Sequence, residues 1–521
     1  MNTGNANITI SQKVVKNTFY NAMGAFFSVI LSLVLTPYIL NYLGLERFGI
    51  WIIVNIFISY LGFFDISIRA PVIKYVSEFH AKEDFLKLSQ LINTSFVFYA
   101  LLALVIGALA FIFSELIVSF FDLPPSLQRQ ALLVIRLGIA SFILIVAFDI
   151  FTSILSGLQR MDITNKILIV ISFLTAAGTV FVLKKGYGLV GLVINNLILI
   201  FIKGILTALF ALRNLPQISF SPLKFDKAIF KMLFGFSLKV NVARIAFLVN
   251  FHADKVLLGR LININAVSFY ELGFKITFTL RRLAFLLVSA IIPAVSEIGA
   301  TKSRDEIYEF YLRSSKYLIL LSMPLFSFAI FNASLILRTW LGQGFSASVL
   351  VLQVLCVGYF LNVLTGTATT TALGLGRPDF EMKYSILVAP LNIILSIALI
   401  IKMGIIGACI GTAASLFVGA LFLIKIFHNY LNKPLGAFFI LICKPLMASM
   451  GANIFILYLS KLFSNFFSGG IGRLEGLVII LLKAAVFSII YIVFIFVFRI
   501  FDSRDKLFIK QRVPIIGRLL L

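Results

Sequence analysis

Residues 160–191 read RMDITNKILIVISFLTAAGTVFVLKKGYGLVG, and residues 377–407 read RPDFEMKYSILVAPLNIILSIALIIKMGIIG. Each stretch opens on Arg-x-Asp, runs through roughly 20 mostly apolar residues, reaches a lysine and closes on Gly-x-x-Gly; that length is what an α-helix needs to cross the hydrocarbon core of a bilayer. Arg160-Met161-Asp162 matches Arg377-Pro378-Asp379, Lys166 matches Lys383 and Lys185 matches Lys402, all at an offset of 217. Gly188-Leu189-Val190-Gly191 is echoed by Gly404-Ile405-Ile406-Gly407. Earlier in the chain, Val76-Ser77-Glu78 recurs as Val295-Ser296-Glu297, Ala81 as Ala300, and Trp51 falls opposite Tyr270, at an offset of 219. Short coincidences are common in apolar sequence, but a near-constant offset is the mark of an internal duplication.

Composition agrees with a membrane setting. Of 521 residues, 60% are hydrophobic and 13% charged, and the mean hydropathy is +1.06. Soluble domains carry about 45–50% apolar and 25% charged residues, which excludes a soluble enzyme. The three cysteines, Cys356, Cys409 and Cys443, sit in apolar runs and suit neither a disulfide framework nor a metal site. With three histidines, a histidine-built metal centre is not expected. The polar start from Met1 to Ser11 leads into a full-length span, so no cleavable signal peptide is expected. The net charge of +24 is what a membrane protein gathers in its cytoplasmic loops beside anionic lipid, and no nucleic-acid partner is needed to explain it.

Fourteen segments satisfy the span criterion, near 17–40, 48–64, 90–118, 130–156, 164–183, 188–211, 230–252, 268–291, 317–337, 346–372, 384–401, 404–427, 435–459 and 476–499. With the N-terminus inside, loops assigned to the cytoplasm hold 26 Lys and Arg and outside loops hold 10, an imbalance that predicts both termini inside. The same imbalance suits twelve spans as well as fourteen. The repeat offset covers six helices, an even number, so the copies share one orientation, with an axis along the membrane normal and a substrate path between them. The expected fold is therefore an all-α polytopic membrane protein. It comprises a first lobe at 1–220, a second at 221–430, and two further helices with a cytoplasmic tail at 431–521.

Thr36-Pro37-Tyr38 and Leu43-Gly44-Leu45-Glu46-Arg47-Phe48-Gly49-Ile50-Trp51 join the first two segments. Asp65-Ile66-Ser67-Ile68, Leu155-Ser156-Gly157-Leu158-Gln159-Arg160, Asp254-Lys255-Val256-Leu257-Leu258-Gly259 and Ile292-Pro293-Ala294-Val295-Ser296-Glu297 follow. Together they resemble polysaccharide-biosynthesis flippases of the O-antigen type, in the multidrug/oligosaccharidyl-lipid/polysaccharide (MOP) exporter superfamily. That resemblance implies a two-lobed transporter in the bacterial cytoplasmic membrane. It would move an undecaprenyl-pyrophosphate-linked oligosaccharide from the inner to the outer leaflet by alternating access. Its partners would be that substrate, membrane lipids, a polysaccharide polymerase and glycosyltransferases, with no cofactor and no metal.

Ionisable residues inside spans cost roughly 2.5–3.5 kcal/mol each and face the bundle interior or a wet cavity by default. Here they are mostly cations: Lys239 and Arg244 in the seventh span, and Lys275, Arg281 and Arg282 in the eighth, with Lys203, Arg136 and Lys483 elsewhere. A rise of about 1.5 Å per residue sets Lys239 level with Arg281 and Arg282, and Arg244 level with Lys275. Two cationic tiers suit a phosphate headgroup, because arginine offers a planar fork and lysine a mobile point charge. Lys239 snorkelling to the inner interface is the plainer alternative. In the first lobe, Asn17, Asn21, Gly24, Ser28 and Ser32 form one helical stripe, and Trp51, Asn55, Ser59, Gly62 and Arg69 another. Sugar hydroxyls would use Asn21, Asn55 and Arg69, although small residues also line close helix contacts. The acids Asp149, Asp254 and Glu271, with His252, are candidates for ion coupling. Asp254 beside Lys255 reads equally as an interfacial ion pair.

No P-loop, zinc spacing or nucleophile–base pair occurs, so an enzyme is not expected. Other readings remain open: a drug or cation antiporter of the same fold, which would want acids in place of these cations; a lipid II flippase; and, in another class, a membrane-bound glycosyltransferase or polymerase.

Overall fold

A computed structural model of the protein describes residues 10–62, 69–218, 220–221, 225–237, 241–289, 295, 303–462, 472–502 and 505, and within them all regular structure is helical. In a bilayer no water is at hand to satisfy backbone N–H and C=O groups, so long apolar runs close their hydrogen bonds within themselves as helices. The chain divides into two compact units, Met1–Ser268 and Phe269–Leu521.

The first unit contains α1 (Ile10–Leu61), α2 (Arg69–Ala81), α3 (Phe85–Ile112), α4 (Ser114–Phe120), α5 (Pro125–Gly157), α6 (Met161–Lys184), α7 (Gly188–Arg213), α8 (Lys227–Ser237) and α9 (Asn241–Leu261). α10 (Ile264–Ser289) begins in the first unit and runs into the second. The second unit continues with α11 (Arg304–Phe331), α12 (Ala333–Leu341), α13 (Ser346–Leu364), α14 (Gly366–Gly374), α15 (Asp379–Met403), α16 (Ile405–Leu431), α17 (Gly436–Leu462) and α18 (Arg473–Val497).

Among the described residues, eleven helices are long and apolar enough to cross a membrane, against the fourteen expected segments. The difference has two sources. The first two expected segments lie on α1, which is broken at Gly44, where φ is 73° and ψ is 172°. α9 carries Arg244, Asp254, Lys255 and Arg260, and α10 carries Glu271, Lys275, Arg281 and Arg282; both are too charged to rank as plain apolar spans.

The turns that begin the quoted stretches share one geometry. Gln159 (φ 57°) and Gly376 (φ 72°) both take the left-handed conformation. Gln159 N–H donates to Ser156 and Arg160 N–H to Leu155, while Gly376 N–H donates to Leu373 and Arg377 N–H to Ala372. Each arginine then grips the aspartate two residues on: Arg160 Nε to Asp162 at 3.2 Å, and Arg377 to Asp379 through two contacts of 2.8 and 3.0 Å. Gly188 (φ 56°) and Gly404 (φ 63°) open the following turns alike.

Packing relies on small residues, as expected where lipid is as apolar as leucine. In the first unit, Gly157 at the end of α5 meets Ile73 and Val76 of α2. A Cβ there would come within 2.8 Å of Val76 and 2.9 Å of the Ile73 carbonyl, and Ser77 donates to the Gly157 carbonyl at 2.5 Å. In the second, Gly411 of α16 leaves room for Ser396 of α15, and Gly358 of α13 for Ala413. α17 and α18 pack on α11 through Leu320, Ala448, Ala452, Phe487, Tyr491 and Ile495. Past the end of α18, Asp505 is fully buried; its carboxylate pairs with Lys316 and accepts from Tyr317 Oη at 2.7 Å.

Candidate functional site

Charged and polar side chains gather at one place in the second unit and at two in the first. In the second unit, Arg281 is half-buried on α10 and its Nε donates to Asn362 Oδ1 of α13 at 2.7 Å. The guanidinium lies 4.3 Å from the Phe285 ring centre and 5.9 Å from that of Phe278. Asn362, itself buried, passes the contact on: its Nδ2 donates to Tyr384 Oη of α15 at 2.8 Å. Glu381, half-buried, lies one turn before Tyr384 on the same helix. The guanidinium thus meets an amide oxygen and two aromatic rings. Such a shell orients the guanidinium and screens it from water, which strengthens its pull on any anion that arrives.

In the first unit, Arg69 at the start of α2 lies 3.8 Å from Asp149 of α5. Lys203 of α7 interacts with the same aspartate and with Arg69. Asp149 thus pairs with Arg69, and Lys203 lies within electrostatic reach of both. A substrate-binding candidate and an ion-coupling candidate are brought together, with a lysine that sequence placed apart. A second group joins α1 and α9: the Tyr60 ring meets His252 edge-on at 6.2 Å, and Tyr60 also lies near Asp254. Asp254 and Lys255 are both buried, at 4% and 2% exposure.

The remaining expected residues are distributed as follows. Lys275 is half-buried on α10, one turn before Thr279, which donates to its carbonyl at 2.8 Å. Glu271 is half-buried on the same helix, whereas Arg282 is exposed, so Arg281 and Arg282 take different settings. Lys239 lies outside the described residues. Arg244 lies on α9 and Asn17 and Asn21 on α1, but their side chains lie outside the described residues. Asn55 is exposed and donates to the Trp51 carbonyl at 2.7 Å, and Ser59 in turn to that of Asn55. Gly24 serves helix packing, since a Cβ there would approach Asn165 Oδ1 of α6 to 2.6 Å. The stripe on the first half of α1 is thus in part a close contact between helices.

Asn362, Tyr384 and Glu381 went unread in sequence because two are neutral and all three sit far along the chain from Arg281. Among the described residues, no group of His, Cys, Asp and Glu is arranged to hold a metal ion.

Residues 14–299 match the polysaccharide biosynthesis protein family, and residues 241–398 match the MatE family. A protein of Shigella flexneri assigned as an O-antigen transporter is 24% identical over 415 residues, spanning 79% of this chain and 96% of that one. Among solved structures, the lipid II flippase MurJ in an inward closed conformation superposes with a TM-score of 0.71 at 17% identity, covering 92% of this chain and 98% of that chain. An inward-facing multidrug resistance MATE transporter of the MOP superfamily gives 0.64 at 15% identity, covering 80% and 94%. The two structural likenesses establish the fold, and the family match covers more than half of the sequence. The chain is a multi-pass membrane protein that belongs to the polysaccharide biosynthesis protein family of the MOP exporter superfamily.

Proposed function

We propose that the protein is a flippase that carries an undecaprenyl-pyrophosphate-linked oligosaccharide across the bacterial cytoplasmic membrane by alternating access. The observation that carries this reading is the match to an O-antigen transporter over 96% of that protein's length. The chemistry supports it. Arg281 and Lys275 of α10, with Arg244 of α9, would bind the pyrophosphate, and Lys239 and Arg282 would lie along its path. Arg69, Asn21 and Asn55 would meet the glycan. Asp149, Asp254, Glu271 or His252 would couple the cycle to an ion. The lobes would be six-helix repeats, 1–220 and 221–430, with both termini cytoplasmic.

The test is surface glycan in a host that depends on this protein, with membrane protein level measured alongside. Arg281→Ala and Lys275→Ala should each lower glycan by roughly tenfold, the worth of one charge-assisted phosphate contact. Arg244→Lys should recover only part of what Arg244→Ala loses, because the planar fork is gone. Normal glycan from all of these at low expression would remove the cationic path.

A second reading, an antiporter of cations or drugs, is favoured by the MatE match over 241–398. It asks for acids where the cargo binds, and α10 sets three cations against Glu271. Liposomes loaded with a lipid-linked oligosaccharide, lipid II or a cationic dye separate the three cargoes.

A further inference from the structure

We propose that Asn362 is the positioning residue of Arg281: it occupies the Nε side of the guanidinium and so directs the Nη edge to a phosphate-bearing headgroup. The proposal rests on the flippase reading above and adds to it the residues that aim its cation. An arginine Nε–H can only donate, so the Asn362 atom 2.7 Å from it is the amide oxygen. That fixes the amide, whose Nδ2 then donates to Tyr384 Oη of α15 at 2.8 Å. Asn362 and Tyr384 are both buried, at 7% and 5% exposure. The backbone of Asn362 is held as well. Its carbonyl accepts from Thr365 N–H at 3.1 Å and from Thr365 Oγ1 at 2.7 Å, at the break between α13 and α14.

A guanidinium can grip an oxyanion through either of two edges, Nε with one Nη or the two Nη groups together. Asn362 holds Nε, which directs a bidentate phosphate contact to the Nη pair. The rings of Phe285 and Phe278, 4.3 and 5.9 Å from the guanidinium carbon, add cation–π attraction from the same helix. An amide suits this task better than a carboxylate would. It accepts the Nε–H bond without cancelling the positive charge that attracts a phosphate. A buried amide is costly unless its hydrogen bonds are made, and both ends of the Asn362 amide are used in one chain of contacts from α10 through α13 to α15. Aiming a cation before its ligand arrives lowers the ordering cost of binding.

The experiment measures inorganic pyrophosphate binding to the full-length protein in neutral-lipid nanodiscs at low salt. Asn362→Leu should bind about tenfold more weakly than wild type, the worth of one hydrogen bond to a charged group. In an Arg281→Lys background, where a point charge has no edge to aim, the same substitution should change binding by no more than about twofold. A residue that only shapes the fold would cost binding equally in both backgrounds. Should Asn362→Leu fail to accumulate, Tyr384→Phe takes its place: it keeps the ring, removes the acceptor of the amide, and should weaken binding by about threefold, again only with Arg281 present. Unchanged binding in Asn362→Leu, or in Tyr384→Phe where it stands in, overturns the positioning role, and so does an equal loss in the Arg281→Lys background. After either result, loss of glycan from Arg281→Ala would leave the flippase reading standing. No pyrophosphate binding by wild type overturns the positioning role and the phosphate contact at Arg281 together.

Discussion

Gly44 sits at φ 73° and ψ 172°, a region that residues with a Cβ enter only under strain, costing about 1–3 kcal/mol. Nothing crowds its missing side chain, so the backbone alone sets the requirement. Gly44→Val should lower membrane accumulation while the protein that does fold keeps its substrate preference; normal accumulation and transport would contradict this. Gln159 poses the opposite case. It holds φ at 57° on an exposed turn where the matching position in the second unit is Gly376. Gln159→Gly should therefore stabilise by about 0.5–1 kcal/mol, the left-handed strain relieved less the added chain entropy, seen as a raised melting temperature in detergent. Asp84 supplies a pH-dependent feature outside the spans. It caps α3 by accepting from Lys87 N–H, and that bond followed by the Lys87 ammonium holds its carboxyl below the usual value of 3.8. A depressed carboxyl stabilises the fold above its unfolded pKa and loses that contribution as pH falls through the folded one. Amide exchange in the first turn of α3 should accordingly quicken below about pH 4, and Asp84→Ala should abolish the change.

At the scale of helices, most of the architecture was legible. Runs of apolar residues announced α3, α5, α6, α7 and α13 to α18 because length and hydropathy are local properties. α9 and α10 were also read as spans, at 230–252 and 268–291, although their charges keep them from ranking as plain apolar helices. The site was legible only in part. Arg281 stood out as an intramembrane cation, but Asn362 and Tyr384 are ordinary neutral residues whose role exists only once α10, α13 and α15 pack together. Lys203 was seen but not joined to Asp149, because depth estimates compare consecutive helices and α5 and α7 are not consecutive. Orientation is open to direct measurement. Ser303 caps α11 with Glu306 in a reciprocal pair of bonds, so a probe cysteine belongs at the exposed Arg304 next to it. Arg304→Cys should resist a membrane-impermeant thiol reagent in intact cells and react after lysis, as a cytoplasmic loop would. Rapid labelling in intact cells would invert the topology.

Across the whole molecule, the two units match in some features and differ in others. The turns before α6 and α15 keep the same hydrogen bonds and the same Arg–Asp grip, while the polar clusters differ: Arg69 and Asp149 in one unit, Arg281, Asn362 and Tyr384 in the other. The segment after α18 has a different weight. Because Lys316 is 11% exposed and its partner Asp505 is wholly enclosed, the acid does for the ammonium what water cannot. A chain trimmed by a protease just after Phe501 would keep every span and yet strand a charge, a loss that typically costs about 3–5 kcal/mol. Such a shortened chain should melt well below the intact one, and Lys316→Met should recover much of the difference. The final acid is thus a quality mark: a copy released before synthesis reaches it would insert in the membrane and then be cleared as unstable.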